Sequence, residues 1–183
     1  MTVSNFTAGH GFTLIECLVA VGVMAILATV AVPASSKLLL THRLTSDANT
    51  FLAAVHLARS EAIKRNRRVV VCKSASGENC APAGRWDQGW LVFDDRNNNA
   101  VVDEGEEVLR RGPPLRGGLL MTGNPPVAAY ISYTPLGLTK KTSGAFQAGT
   151  ITLCRAGGGE ARRIVIGITG RPRVQKATVA SCV

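Results

Sequence analysis

The residues best suited to bind a ligand lie near the C-terminal end of this sequence, which is basic and contains no acid after Glu160. Pro172 favours an extended Arg171, so Arg171 and Arg173 are expected to project to the same side, about 6–7 Å apart. Arginine binds phosphate through paired hydrogen bonds, and Gly170 lets the backbone turn and approach closely. The pattern predicts a polyanion site made of Gly170, Arg171 and Arg173, with support from Arg162, Arg163 and Lys176.

No enzyme motif accompanies these basic residues. The sequence has no GxSxG nucleophile elbow, no Walker phosphate-binding loop and no HExxH zinc motif. His42 and His56 have no recognisable nucleophile near them in the sequence. We therefore expect a binding or structural protein that needs neither a catalytic residue nor a cofactor nor a metal.

Composition sets the class of protein. The chain has 183 residues, 46% hydrophobic and 18% charged, which excludes a collagen, a coiled-coil rod and a multidomain enzyme. Its 21 Lys and Arg outnumber its 12 Asp and Glu, and 15 of the 21 bases are Arg. Residues 1–32 contain no Lys or Arg and one acid, Glu16, so the excess positive charge lies in the rest of the chain. This distribution favours an anionic partner for that part.

An apolar run of 21 residues, 12–32, precedes the charged part. As a helix it would be about 31 Å long, close to the thickness of the hydrocarbon core of a bilayer. The alternative is a secretory signal peptide, but the run is longer than a signal-peptide core and no basic cluster precedes it. Glu16 inside hydrocarbon would cost on the order of 3 kcal/mol, so it requires a compensating partner. Glu16 is expected either to lie at the headgroup level or at the positive end of the helix, or to pair with a cation in an assembly of like chains.

The helix is predicted to continue through an amphipathic segment, 33–66. Apolar residues recur there at steps of four and three, which predicts one face packed on a folded head. Pro33 predicts a bend, and the basic residues 64–68 are expected at the negative end of the helix. The apolar positions are Leu44, Ala48, Phe51, Val55, Ala58 and Ala62.

The N-terminal residues carry a family resemblance. Gly11 followed by FTLIE, residues 12–16, and an apolar run to Pro33 resembles the class III leader of type IV pilins and pseudopilins. This resemblance implies removal of the leader 1–11 by a prepilin peptidase and methylation of Phe12. It also implies that Glu16 pairs with the terminal amine of a neighbouring subunit. The chain would be anchored in the inner membrane with its head in the periplasm, and would later enter a pilus at the cell surface.

The remainder, 67–183, is predicted to form a β-rich head, because short β-prone runs alternate with Gly, Pro, Asn and Asp. The fold expected is therefore α+β and type IV pilin-like, with a long N-terminal helix packed on an antiparallel sheet. Four cysteines in this head allow three pairings, and an exported head favours disulfides over a metal site. We expect Cys72 to pair with Cys80 and Cys154 with Cys182.

An acidic stretch, 94–107, interrupts the basic head. Asp95, Asn97, Asn99 and Glu106 follow EF-hand spacing, but Ala100 stands where that motif requires glycine. A polar hairpin loop is the alternative and the better-supported interpretation. The surrounding run, 85–110, resembles a stretch common in the FimT/GspH branch of pseudopilins, with Trp86 and Trp90 expected in the core.

Residues 170–173, GRPR, match the GRxR motif and resemble the DNA-binding tail of FimT-type minor pilins of natural transformation. The resemblance implies that the chain binds extracellular DNA for uptake. Two alternatives remain open. The basic tail could be a solvated loop that docks on acidic pilin subunits, or the chain could be a structural, GspH-like pseudopilin of a type II secretion system.

Overall fold

The computed structural model describes residues 12–182, without the side chains of residues 30–37. Its first element is one α-helix, α1 (Leu14–Arg65), which is uninterrupted at Pro33. Thr13 and Glu16 form a capping box at its start. The Thr13 backbone N–H and hydroxyl donate to the Glu16 carboxylate at 2.8 and 2.9 Å, and the Glu16 N–H donates to the Thr13 hydroxyl at 3.3 Å. Within its own chain, the carboxylate of Glu16 therefore accepts hydrogen bonds from the backbone N–H and the hydroxyl of Thr13 at the start of the helix.

The membrane span predicted for residues 12–32 corresponds to the first part of α1. Within residues 12–182, no helix has both the length and the apolar character that crossing a membrane requires. The predicted leader, residues 1–11, and the cleavage residue Gly11 lie outside the described residues.

Residues 41–183 form one compact unit, which includes the second half of α1. The predicted apolar stripe of that half is confirmed: every member from Leu44 to Ala62 is at most 1% exposed. Phe51 meets Trp86 and Trp90 edge-on, with ring centroids 5.3 and 5.8 Å apart. Both tryptophans are buried, as expected, so the helix and the head share one hydrophobic core.

Eight antiparallel strands follow the helix and form two four-stranded sheets. The first sheet has the order β3-β2-β1-β5, and the second has the order β4-β6-β7-β8. Their bounds are β1 (Arg68–Lys73), β2 (Trp90–Asp95), β3 (Val108–Gly112), β4 (Leu119–Gly123), β5 (Tyr130–Tyr133), β6 (Gly149–Arg155), β7 (Gly159–Ile166) and β8 (Pro172–Val179). Short 3-10 turns occupy Trp86–Gln88 and Pro125–Val127.

The α+β pilin-like fold predicted from the sequence is confirmed, with the head divided between two sheets. The β-prone runs correspond to β1, β2, β5, β6 and β7. The basic tail, in which Arg171 and Arg173 were expected to be extended, is mostly the edge strand β8, paired along its length with β7. This pairing fixes the face on which each tail residue lies.

Both predicted disulfides are confirmed. Cys72 in β1 is bonded to Cys80, eight residues later, and Cys154 in β6 is bonded to Cys182, 28 residues later. The second bond ties the end of the chain to the central part of the second sheet. Cys17 is free and exposed on α1.

Candidate nucleic-acid interface

A tight turn between β7 and β8 positions the start of the basic tail. The Gly170 N–H donates to the Gly167 carbonyl at 2.9 Å, and Gly170 has a φ of +73°. A Cβ atom on Gly170 would lie 2.0 Å from the Gly137 carbonyl oxygen, so only glycine fits there. Gly170 is buried. The prediction that it approaches DNA is therefore corrected: this glycine packs against the protein and orients the arginines that follow.

Two side chains hold this turn against the head. The Tyr133 hydroxyl donates to the Gly170 carbonyl at 2.9 Å, and burial raises the pKa of Tyr133, which keeps its proton on the phenol. Arg59 of α1 donates to the carbonyls of Gly137 at 3.1 Å and Thr169 at 3.4 Å. Sequence patterns gave no signal for this role of Arg59, because its acceptors are backbone atoms distant in the chain.

Arg171 and Arg173 are both exposed beside this turn. Together with Gly167 and Thr169 they line one depression of about 440 Å³. No ion pair formed within residues 12–182 includes either arginine. The two arginines thus line the same depression, as expected for side chains that project to one side, and the lining contains no carboxylate.

Arg163 belongs with this pair by strand register. Val165 lies opposite Arg173, and Arg163 lies opposite Gln175. Residues directly opposite in antiparallel strands share a face, so Arg163 and Arg173 are diagonal neighbours, with Cα atoms about 7–8 Å apart. We call the face of the second sheet that carries them the outer face. Arg163 is exposed on it.

Arg162, by contrast, faces α1, and the prediction that it contacts DNA is wrong. Its side chain is 2% exposed. It donates to Glu160 at 2.8 Å and to the Thr45 hydroxyl of α1 at 3.0 Å. The Thr41 hydroxyl also donates to Glu160, at 2.6 Å, and these two hydrogen bonds lower the pKa of Glu160. This guanidinium therefore joins the helix to the sheet.

Lys176 also lies on the other face. It sits opposite Arg162 in the β7–β8 register and is exposed. Its positive charge contributes to lowering the pKa of Glu160, which shows that an acid lies within its electrostatic reach. Lys176 is thus separated from the group formed by Arg163, Arg171 and Arg173, which we call the arginine cluster.

The basic residues at the end of α1 differ from the arginine cluster in having acidic partners. Arg65 contacts Glu61 and Glu107, each at 2.6 Å. Arg67 lies 3.8 Å from Asp94. These contacts support the interpretation that this basic segment serves the helix terminus and the head, rather than a nucleic acid.

The distribution of acids explains why the outer face stays positive. Residues 113–183 contain nine Lys and Arg and one acid, Glu160. Glu160 lies opposite Thr178 and two residues from Arg162, on the helix-facing side of β7. The side chains that β4, β6, β7 and β8 present on the outer face therefore include no carboxylate.

The acidic stretch forms the closed loop between β2 and β3. Both Asp95 oxygens accept backbone N–H groups, from Asn99 and Ala100, and burial raises the pKa of Asp95. Both Glu106 oxygens likewise accept N–H groups, from Arg96 and Asp103. The side chains predicted in EF-hand spacing thus bond to the loop itself. Within residues 12–182 there is no group of three or more His, Cys, Asp or Glu placed to hold a metal.

Both the sequence and the fold are similar to those of known proteins. The family model described as "Type II transport protein GspH" matches residues 47–170. The model described as "Prokaryotic N-terminal methylation motif" matches residues 8–32. The pilin-like protein PilA1 of Thermus thermophilus is 32% identical over 179 residues, which cover 91% of this chain and 98% of that protein.

Solved structures share the fold. The type IV minor pilin FimU of Pseudomonas aeruginosa strain PAO1, in one crystal form, gives a TM-score of 0.58 at 19% identity. That match covers 78% of this chain and 97% of FimU. A second crystal form of FimU gives a TM-score of 0.55 at 19% identity and covers 76% of this chain and 100% of that chain.

Proposed function

The chain belongs to the GspH family and is a minor type IV pilin or pseudopilin, and we propose that it binds extracellular DNA through the arginine cluster. The observation that carries this proposal is the exposure of Arg171 and Arg173 around one acid-free depression, with Arg163 beside them. The GspH family model ends at residue 170, so the proposal rests on the tail of this chain rather than on the family match.

The contact is made mainly to phosphates. Three guanidinium groups on a face without aromatic or acidic side chains supply charge and paired hydrogen bonds, which the phosphate oxygens of any DNA sequence can accept. Binding is therefore largely independent of sequence and weakens as salt rises. A single subunit binds weakly, and several subunits in one fibre strengthen the capture of a long DNA molecule.

The N-terminal residues are responsible for processing of the subunit and its assembly into a fibre. In this proposal a prepilin peptidase cuts after Gly11, Phe12 is methylated and residues 12–32 anchor the subunit in the inner membrane, with the head in the periplasm. Glu16 then leaves its capping role and pairs with the terminal amine of a neighbouring subunit. The match to the N-terminal methylation motif supports this processing. The assembled subunit serves DNA uptake in natural transformation.

Fluorescence anisotropy with a labelled oligonucleotide tests DNA binding. The purified full chain in a neutral detergent is compared with Arg171→Gln/Arg173→Gln. The matched control is Arg116→Gln/Arg155→Gln, which removes the same charge from two other exposed arginines. We expect about a tenfold or greater loss of affinity in the first variant and at most about a twofold loss in the control. Equal affinities for the two variants would remove the proposed site.

A second candidate function is favoured by the description of the matching family. A GspH-like subunit of a type II secretion system would have a structural role in assembly and would contact protein only. Residues 47–170, which the family model matches, contain most of the core and both sheets apart from β8. If the arginine variants leave DNA binding unchanged, this structural role is the one that the family match supports.

A further inference from the structure

A row of hydrogen-bonding side chains crosses the whole outer face of the second sheet. Thr122 of β4 lies opposite Thr152 of β6, Thr152 lies opposite Arg163 of β7, and Arg163 lies opposite Gln175 of β8. Opposite residues in antiparallel strands share a face, so the four side chains lie side by side, about 5 Å apart. We call this set the polar row.

The polar row lies in a depression. It has a volume of about 450 Å³, and its lining includes the four members of the row together with Asn124 and Thr150. No side-chain hydrogen bond within residues 12–182 engages the Thr122 or Thr152 hydroxyl or the Gln175 amide. These groups are therefore available to a ligand, and the row contains no acid.

The two rows of side chains that flank the polar row differ in polarity. On one side the adjacent row is apolar: Cys154 and Ala161 are buried there, packed against Leu120, Ala177 and Val179. On the other side Val165 lies opposite Arg173, and Arg173 lines the depression that contains Arg171. Hydrogen-bonding groups therefore continue from Arg171 and Arg173 through Arg163 to Thr152 and Thr122.

We propose that this path binds one phosphodiester backbone, with the arginine cluster at one end and the polar row extending it across the sheet. The inference rests on the proposed function and adds its ligand geometry. Hydroxyl and amide groups donate to phosphate oxygens, as the guanidinium groups do. At about 20–25 Å from Arg171 to Thr122 it accommodates roughly four phosphates. The backbone is either a single strand or one strand of a duplex.

Length-dependent binding tests the path. Thymidine oligonucleotides of two to ten residues are titrated against the full chain in neutral detergent. We expect affinity to rise steeply until about four phosphates are present and then only gradually, because the path is then filled. An abasic oligomer of the same length should bind equally, since bases make no contact. A duplex that binds as tightly as the single strand identifies a duplex strand as the ligand, and weaker duplex binding identifies a free strand.

Substitutions locate the path on the sheet. Thr122→Val/Thr152→Val keeps shape but removes both hydroxyls, and we expect about a 5–20-fold loss for oligonucleotides of six residues and little change for those of two or three. Thr178→Val is the matched control, because Thr178 lies opposite Glu160 on the other face. Thr152→Ser retains the hydroxyl and should bind as the wild type, which separates a lost contact from a folding defect.

The outcomes distinguish this inference from the proposed function. If the threonine variant binds every length as the wild type while Arg171→Gln/Arg173→Gln loses affinity, the path across the sheet is wrong and the arginine site stands. If both variants bind as the wild type, the proposed function fails and the path fails with it. A polyglutamate peptide that competes as well as an oligonucleotide of equal charge would point to an acidic protein and overturn the phosphodiester assignment.

Discussion

Arg162 and Arg163 are adjacent in the sequence but have different roles in the structure. Arg162 and Arg163 have identical side chains, but strand alternation turns Arg162 toward α1 and Arg163 to the outer face. The sequence shows that both are basic. It does not show which of the two is buried, because that depends on the side of the sheet that α1 covers.

Glutamine substitutions should separate these roles. We expect Arg162→Gln to lower the free energy of unfolding by about 1–3 kcal/mol, because it leaves the Thr45 hydroxyl and Oε1 of Glu160 without their partner, and to leave DNA affinity nearly unchanged. Arg163→Gln should leave the free energy of unfolding nearly unchanged and lower the affinity for DNA. Thermal unfolding and anisotropy on both variants check this, and a loss of DNA affinity confined to Arg162→Gln would contradict it.

Gly170 provides a test of how the arginines are positioned. Gly170→Ala places a Cβ against the Gly137 carbonyl at a φ of +73°, so we expect a lower unfolding temperature and weaker DNA binding. Gly118→Ala is the matched control, because Gly118 has a φ of +70° and nothing within 4 Å of its added Cβ. Gly118→Ala should lower the unfolding temperature only slightly, because alanine is strained at a positive φ but its Cβ meets no other atom there. Equal effects of the two substitutions would refute the close packing at Gly170.

At the element scale, α1 is joined to β7 by a carboxylate, which makes stability depend on pH. The pKa of Glu160 is lowered from its usual 4.5 by the hydrogen bonds from Thr41 and Arg162. A lowered pKa in the folded state stabilises the protein above pH 4.5, and this contribution is lost as the pH falls through the folded-state pKa.

Measurements of unfolding temperature between about pH 7 and pH 3 check this dependence. We expect a smaller acid-induced decrease in Glu160→Gln than in the wild type. Some decrease should remain, because the hydrogen bond from Arg65 also lowers the pKa of Glu61. Identical pH profiles for the two proteins would show that Glu160 does not couple the helix to the sheet.

The disulfides differ in the length of chain that they close, 28 residues for Cys154–Cys182 and eight for Cys72–Cys80. A longer closed loop restricts the unfolded chain more, so Cys154→Ala/Cys182→Ala should destabilise the protein about 1 kcal/mol more than Cys72→Ala/Cys80→Ala. Denaturant unfolding of the two double variants measures the difference. A larger loss from the Cys72–Cys80 pair would contradict the loop-length argument.

Sequence patterns predicted much of the fold at this scale and less of the site. Helical spacing identified the buried stripe from Leu44 to Ala62, and β-prone runs identified most strands, because local periodicity determines both. The polar row was not predicted, since Thr122, Thr152 and Gln175 are far apart in the sequence and meet only through strand register. Local spacing placed Arg171 and Arg173 correctly because Pro172 keeps them in one extended segment.

At the scale of the whole molecule, charge is segregated. Acids are concentrated before residue 108, where several pair with the basic residues at the end of α1, whereas residues 113–183 contain nine bases and one acid. That single acid faces the helix. The second sheet therefore presents an uncompensated positive surface on the side away from α1, and a polyanion is the ligand that such a surface attracts.

The salt dependence of DNA binding tests this account most directly, because the slope of log affinity against log salt counts the phosphates neutralised. For the wild type we predict a slope of about −2 to −3, corresponding to the arginine cluster. For Arg171→Gln/Arg173→Gln we predict a slope shallower by about 1.5–2 units, while Arg116→Gln/Arg155→Gln keeps the wild-type slope. A wild-type slope retained in Arg171→Gln/Arg173→Gln would show that DNA does not bind at these arginines.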